Sequence, residues 1–254
     1  MRVETIINRI VAAMSDSDTA IASPNSEFGE ETRGGNVRFI LASGSKRRRD
    51  IMALAGLTFV VQDGSGGDSE ITSDIEPDAY KLTRQNAETK LHAVVAANRN
   101  RVPWDAVVIA ADTVVALDGD ALGKPGDRDE AVDMLRKLRG RQHQVVTTVA
   151  MTCAPHRQRG EMISHNVVTK VNMREYYDSE IRHYVATGLP YDRAGAYGVQ
   201  DGDFDPAEAV IGCYLNVVGL PLCAVRAMLP PGACSFANAH IYATCAAHEE
   251  MVTG

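Results

Sequence analysis

The segment Ser43-Gly44-Ser45-Lys46-Arg47-Arg48-Arg49 puts two hydroxyls, a permissive glycine and a run of cations side by side. It lies between an apolar run and a helix-forming stretch. Free N–H groups at a helix start, joined by forked guanidinium donors, make an anion site. A solvated basic turn is the ordinary alternative. Asp112-Thr113 directly follows the apolar run 106–111 (AVVIAA). An acid there can hold a cation or polarise water, or simply start a turn. Gly123-Lys124-Pro125 sets a lysine on a stiffened loop, where it can neutralise a phosphate or serve as a plain surface charge. It is not a Walker loop, because no Ser or Thr follows the lysine. The polar loop from Asp63 to Glu76 holds Asp68 and Glu70, either of which could bring a second carboxylate to a metal. The loop reads equally well as solvated chain. In Asp192–Gln200 (DRAGAYGVQ) small residues let backbone approach a flat ligand, and Gln200 offers both a donor and an acceptor to a base edge. The histidines form no H-E-x-x-H, and His143 reads as a core or capping residue rather than a ligand.

These groups need elements to hold them. Residues 37–43 read as a buried strand and 47–55 as a helix stopped by Gly56. A second short strand covers 58–62. Pro77 opens a helix running to about Ala97, with Leu82, Ala87, Leu91 and Val94 on one face. Residues 106–111 read as a central strand, apolar on both faces, followed by 114–117 and a turn at Asp118-Gly119-Asp120. Residues 128–138 form an amphipathic helix. Residues 143–151 and 161–171 are paired strands across a loop at Pro155. Asp178 is placed as the N-cap of a helix ending at Thr187, and a last helix covers 221–229.

Alternation first and strand pairing later give an α/β plan, a mixed twisted sheet with flanking helices. Ligands gather at strand carboxyl ends in such sheets, and Ser43 with Ser45, Asp112 and the Lys124 loop are read there. Residues 1–36 read as a flexible extension, 37–229 as the domain and 230–254 as a tail.

The 254 residues are 45% hydrophobic and 23% charged, with a net charge of −7. That composition suits a folded domain and gives no broad basic surface for nucleic acid. No apolar run is long enough to span a bilayer. The five scattered cysteines form no C-x-x-C pair, which fits a reduced compartment, and the cytoplasm is the expected location.

The ordered set of motifs resembles the Maf family of nucleoside triphosphate pyrophosphatases. It comprises Leu41-Ala42-Ser43-Gly44-Ser45-Lys46-Arg47-Arg48, Ala111-Asp112-Thr113-Val114-Val115, Gly123-Lys124-Pro125, His143-Gln144-Val145, Asp192-Arg193-Ala194-Gly195-Ala196-Tyr197 and Val218-Gly219-Leu220-Pro221. The resemblance implies two lobes around a central cleft. It implies hydrolysis between the α and β phosphates to a monophosphate and pyrophosphate, with Mg²⁺ or Mn²⁺ as cofactor, and a possible homodimer. Ser43, Ser45, Arg47, Arg48 and Lys124 are then phosphate contacts. Asp112 is the metal-linked carboxylate or the base, with Asp68 or Glu70 as second carboxylate and Asp68 favoured on spacing. Tyr197 and Gln200 resemble the dTTP/UTP branch. The chain departs from the family pattern with Lys46 for Pro, Leu189 for Glu, Arg193 for Lys, Cys213 for Asp, and Gly-Gly-Asp-Ser-Glu where Asp-Glu is usual. A non-catalytic nucleotide-binding module in division control is the alternative function.

Overall fold

The computed structural model describes residues 38–63, 70–97, 106–153 and 162–229. The proposed extension, the tail, the Pro155 loop and Asp68 lie outside the described residues. In chain order the elements are β1 (Arg38–Leu41), α1 (Lys46–Leu54), β2 (Phe59–Val61), α2 (Ala79–Ala97), β3 (Ala106–Leu117) and β4 (Asp120–Leu122). Then come α3 (Arg128–Leu138), β5 (Gln142–Cys153), β6 (Met162–Met173), α4 (Asp178–Ala186), β7 (Ala207–Ile211), α5 (Tyr214–Val218) and α6 (Leu222–Met228). The sheet has seven strands in the order β2-β1-β3-β5-β6-β7, with β4 paired to β3. β1 is parallel to both β2 and β3, and every other pairing is antiparallel. This is the mixed sheet with flanking helices expected from the sequence.

β3 is the spine, and its side chains alternate between two cores. Val107, Ile109 and Ala111 pack with Ile51 and Met52 of α1 and with Leu222 and Val225 of α6. Ala106, Val108 and Ala110 pack with Ala87, Leu91 and Val94 of α2. Burial on both faces explains why this run is apolar without alternation. Farther along, Val115 and Leu117 join α3 and α4 through Ala131, Leu135, Leu138 and Ile181. Val114 joins Leu82 and Ala121 on the opposite face. Leu135 and Leu138 are fully buried, each contributing roughly 1.5–3 kcal/mol of apolar burial.

Asp112 and Thr113 interrupt both apolar stripes at once. Asp112 falls between Ala110 and Val114 on the α2 side, and Thr113 between Ala111 and Val115 on the α1 side. Sequence reading placed Asp112 just beyond a strand, but β3 runs through it to Leu117. The reason is pairing with β5, which continues from Val107 to Ala116. Parallel pairing with β1 stops at Ile109, where the Ala42 N–H donates to the Ile109 carbonyl at 2.7 Å. Asp112 is therefore just past the carboxyl end of the parallel part of the sheet.

Asp178 also differs from expectation. It is the first residue of α4, and Tyr177 is the cap, its N–H donating to Glu180 Oε2 at 2.7 Å. The Asp178 carboxylate is taken instead by Arg136 at 2.6 Å and Arg139 at 3.1 Å, which join α4 to α3. Asp127 caps α3 by accepting from the Glu130 N–H.

One backbone bond couples two distant loops, the Gly195 N–H donating to the Gly123 carbonyl at 2.9 Å. Gly195 has φ +67°, and a Cβ there would lie 2.8 Å from Val115 Cγ2. Gly195→Ala combines left-handed strain with that clash. We expect it to lower unfolding free energy by about 2 kcal/mol or more, read from the urea midpoint.

Candidate active site

The polar break in β3 opens into a cleft of about 340 Å³, within the range of small-molecule sites. Its lining comes from the β1–α1 turn, α2, β3, the Lys124 loop and the 192–200 segment. It brings together Ser43, Ser45, Arg47, Arg48, Glu70, Asp112, Lys124, Tyr197 and Gln200, each a candidate from the sequence.

The β1–α1 turn forms the floor. Ser43 Oγ accepts from the Ser45 N–H at 3.3 Å and from Arg48 Nη1 at 3.2 Å. Arg48 also donates from Nε to the Gly219 carbonyl at 2.8 Å and from Nη2 to Thr113 Oγ1 at 3.2 Å. Burial pushes its guanidinium below the usual value. Arg48 thus ties three segments together, while one N–H on each terminal nitrogen is left over from these bonds. Gly44 lies close to the Asp63 carboxylate, 2.8 Å from where a Cβ would stand, and a larger residue there would have to push that side chain aside.

Arg47 and Lys124 stand on the open side. Both meet Asp192, Arg47 Nη1 at 3.1 Å and Lys124 Nζ at 2.7 Å. Burial, with Arg193 nearby, holds the Arg47 guanidinium below its usual value.

Asp112 is buried, and Lys90 Nζ donates to its Oδ1 at 2.6 Å. Lys90 also reaches Glu70 Oε1 at 2.9 Å, so one ammonium joins both carboxylates. Asn86 fixes this arrangement. It exchanges two hydrogen bonds with the Ile71 backbone, at 2.8 and 2.9 Å, and its Nδ2 reaches Asp112 Oδ2 at 3.4 Å. Residues 70–71 are thereby docked on α2 with Glu70 toward Asp112. Lys90 and Asn86 were not singled out from sequence. The signal was there, since both fall within the stripe that carries Leu82, Ala87, Leu91 and Val94, a buried helix face.

Among the described residues, no group of three or more His, Cys, Asp or Glu side chains could hold a metal alone. The donor set nonetheless fits a divalent ion that shares its shell with a ligand. Mg²⁺ takes one or two carboxylates, substrate phosphate oxygens and waters, and two carboxylates, Asp112 and Glu70, stand together here on the one Lys90 ammonium.

The far wall is the 193–201 segment. Arg193 and Asp201 form a buried ion pair at 2.7 Å. Tyr184 donates to Asp201 Oδ2 and accepts from the Gly198 N–H. Gln200, half-buried, sits within this braced turn. Tyr197 is buried, and its hydroxyl meets His143 Nε2 at 2.7 Å, so the ring lines the cleft while the polar end is turned inward. His143 is a core histidine, as its sequence position implied.

Two stability measurements follow from these buried groups. Lys90→Met leaves Asp112 buried beside no ammonium and should cost about 3 kcal/mol in urea unfolding. Burial lowers His143 from 6.5 to about 4. The unfolded chain takes up a proton between those values that the folded chain refuses, so stability falls as pH drops from 6.5 toward 4. The fall should be about 2–3 kcal/mol steeper in the wild type than in His143→Gln, compared by urea unfolding at pH 7 and pH 4.

The chain has well-matched relatives. A dTTP/UTP pyrophosphatase of Dehalococcoides mccartyi is 40% identical over 196 residues, 77% of this chain and 83% of the relative. Those of Geobacter sulfurreducens (41% over 189 residues, 74% of this chain and 93% of the relative) and Thermomicrobium roseum (42% over 186 residues, 73% and 80%) are similar. Among solved structures, the Ham1 protein of Staphylococcus aureus overlaps at a TM-score of 0.36 and 16% identity, covering 54% of this chain and 71% of its own. The family model described as Maf-like protein matches residues 38–231, which takes in every described element, and the chain belongs to that family.

Proposed function

We propose that this chain hydrolyses dTTP or UTP to the monophosphate and pyrophosphate, with a divalent metal ion as cofactor. The observation that carries the reading is the pairing of cations and carboxylates across one cleft. Arg47, Arg48 and Lys124 line it together with Asp112, Glu70 and Lys90. A triphosphate carries about four negative charges, and its transfer chemistry depends on positioning and charge neutralisation. The relatives named dTTP/UTP pyrophosphatase support the choice of nucleotide.

In this reading Ser43 and the N–H groups of the β1–α1 turn hold phosphate oxygens. Arg47 and Lys124 offset the charge that grows on departing pyrophosphate. Asp112 and Glu70 are the residues that would hold Mg²⁺ or Mn²⁺, which supplies further neutralisation of the phosphate oxygens. In the same reading Asp112 accepts a proton from the attacking water, while Lys90 keeps its carboxylate in one orientation. Water adds at phosphorus, the α–β anhydride bond breaks, and pyrophosphate leaves with the bridging oxygen. Gln200 reads the pyrimidine edge, and the Tyr197 ring shapes the wall beside it. Among the described residues no helix is long and apolar enough to cross a membrane.

The test is pyrophosphate release from UTP, dTTP, CTP, GTP, ITP and 7-methyl-GTP, with and without Mg²⁺ or Mn²⁺. We expect metal-dependent release, fastest from UTP or dTTP. Lys124→Ala should lose on the order of 10²–10³-fold in kcat with an unchanged melting curve, since this side chain is exposed. Full activity in that variant would remove Lys124 from the site. Nucleotide binding without any release would favour the non-catalytic module.

A further inference from the structure

Asp192 puts a negative charge into a cleft whose neighbouring cations suit an anion. It ends the tight turn Leu189–Asp192, ahead of the segment that lines the far wall. Its Oδ1 accepts from Lys124 Nζ at 2.7 Å and its Oδ2 from Arg47 Nη1 at 3.1 Å. Its backbone carbonyl accepts from Arg47 Nη2 at 2.7 Å. One carboxylate therefore spans two cations from different loops, one oxygen on each, as a phosphate group would. The side chain is 63% exposed, so packing does not force it into this place. Among the described residues, its side-chain hydrogen bonds are to these two cations.

We propose that Asp192 is a built-in counter-anion for the phosphate site. It holds Arg47 and Lys124 in position when no nucleotide is bound, gives them up to phosphate oxygens, and takes them back as pyrophosphate departs. The proposal rests on the triphosphate reading of the same cleft. Exposed carboxylate pairs are weak, so a multiply charged phosphate displaces them. The displaced carboxylate stays beside the phosphate and repels it, which lowers affinity for every phosphate ligand and speeds product release. Asp192 is a positioning residue, acting through Arg47 and Lys124 rather than on the reacting atoms.

The test compares the wild type with Asp192→Asn, which keeps the shape and removes the charge. Inorganic pyrophosphate is titrated by calorimetry, and UTP turnover is measured beside it. Asp192→Asn should bind pyrophosphate on the order of three- to tenfold more tightly. Its KM for UTP should fall, and kcat should fall with it as release slows. Asp192→Glu, which keeps the charge, should stay near the wild type. Pyrophosphate binding that is unchanged or weaker in Asp192→Asn overturns the proposal. The titration needs no turnover, so the two readings separate. A wild type that binds pyrophosphate but hydrolyses no nucleotide sinks the activity reading, and the Asp192→Asn comparison still decides the counter-anion. A wild type that binds no pyrophosphate overturns both.

Discussion

A carboxylate set into the middle of a buried strand must be paired, because an isolated charge there costs more than the fold can spare. Asp112 imposes that condition on everything around it. Its partner, Lys90, comes from α2, and the rotation of α2 that packs Ala87, Leu91 and Val94 on the sheet also aims the ammonium at β3. The same rotation turns Asn86 toward the chain at Ile71, which brings Glu70 to the ammonium. One buried charge therefore ties a helix and residues 70–71 to the central strand.

The second organising contact is Arg48. Its guanidinium links the β1–α1 turn, β3 and the Gly219 carbonyl between α5 and α6. On the sequence it was one of several adjacent cations. Folding separates them: Arg48 turns inward as a brace, Arg47 faces the open cleft, and Lys46 pairs with Asp50 along the helix. Adjacent cations on a helix point in different directions, and so their roles differ.

Most of the architecture was legible because apolar periodicity and punctuation agree. The 128–138 helix has its expected bounds, since Asp127 caps it and the tight turn at Gly140 follows. The short β7 and α5 went unread, being too brief to show a period. Asp112 was found as a residue, but its setting was misjudged. Sequence cannot show that an antiparallel neighbour carries a strand past the point where its parallel neighbour stops. Asp192 was visible only as part of a motif, because ion pairs between segments so far apart in the chain leave no local pattern. The same limit hid the bond between Tyr197 and His143.

The wall that carries Gln200 holds itself together. Arg193 and Asp201 close it as a ring, and Tyr184 buttresses that ring from α4. The serine turn and its cations lean on α1, β3 and the α5–α6 junction instead. The two ends of the cleft thus lean on different elements and meet at Asp192, which binds Arg47 and Lys124, and at the backbone bond from Gly195 to Gly123. A lineage with this layout is free to remodel the half-buried face of the 197–200 turn without disturbing the serine turn and its cations. Divergence in nucleoside preference over a constant chemistry is the evolutionary path this construction leaves open.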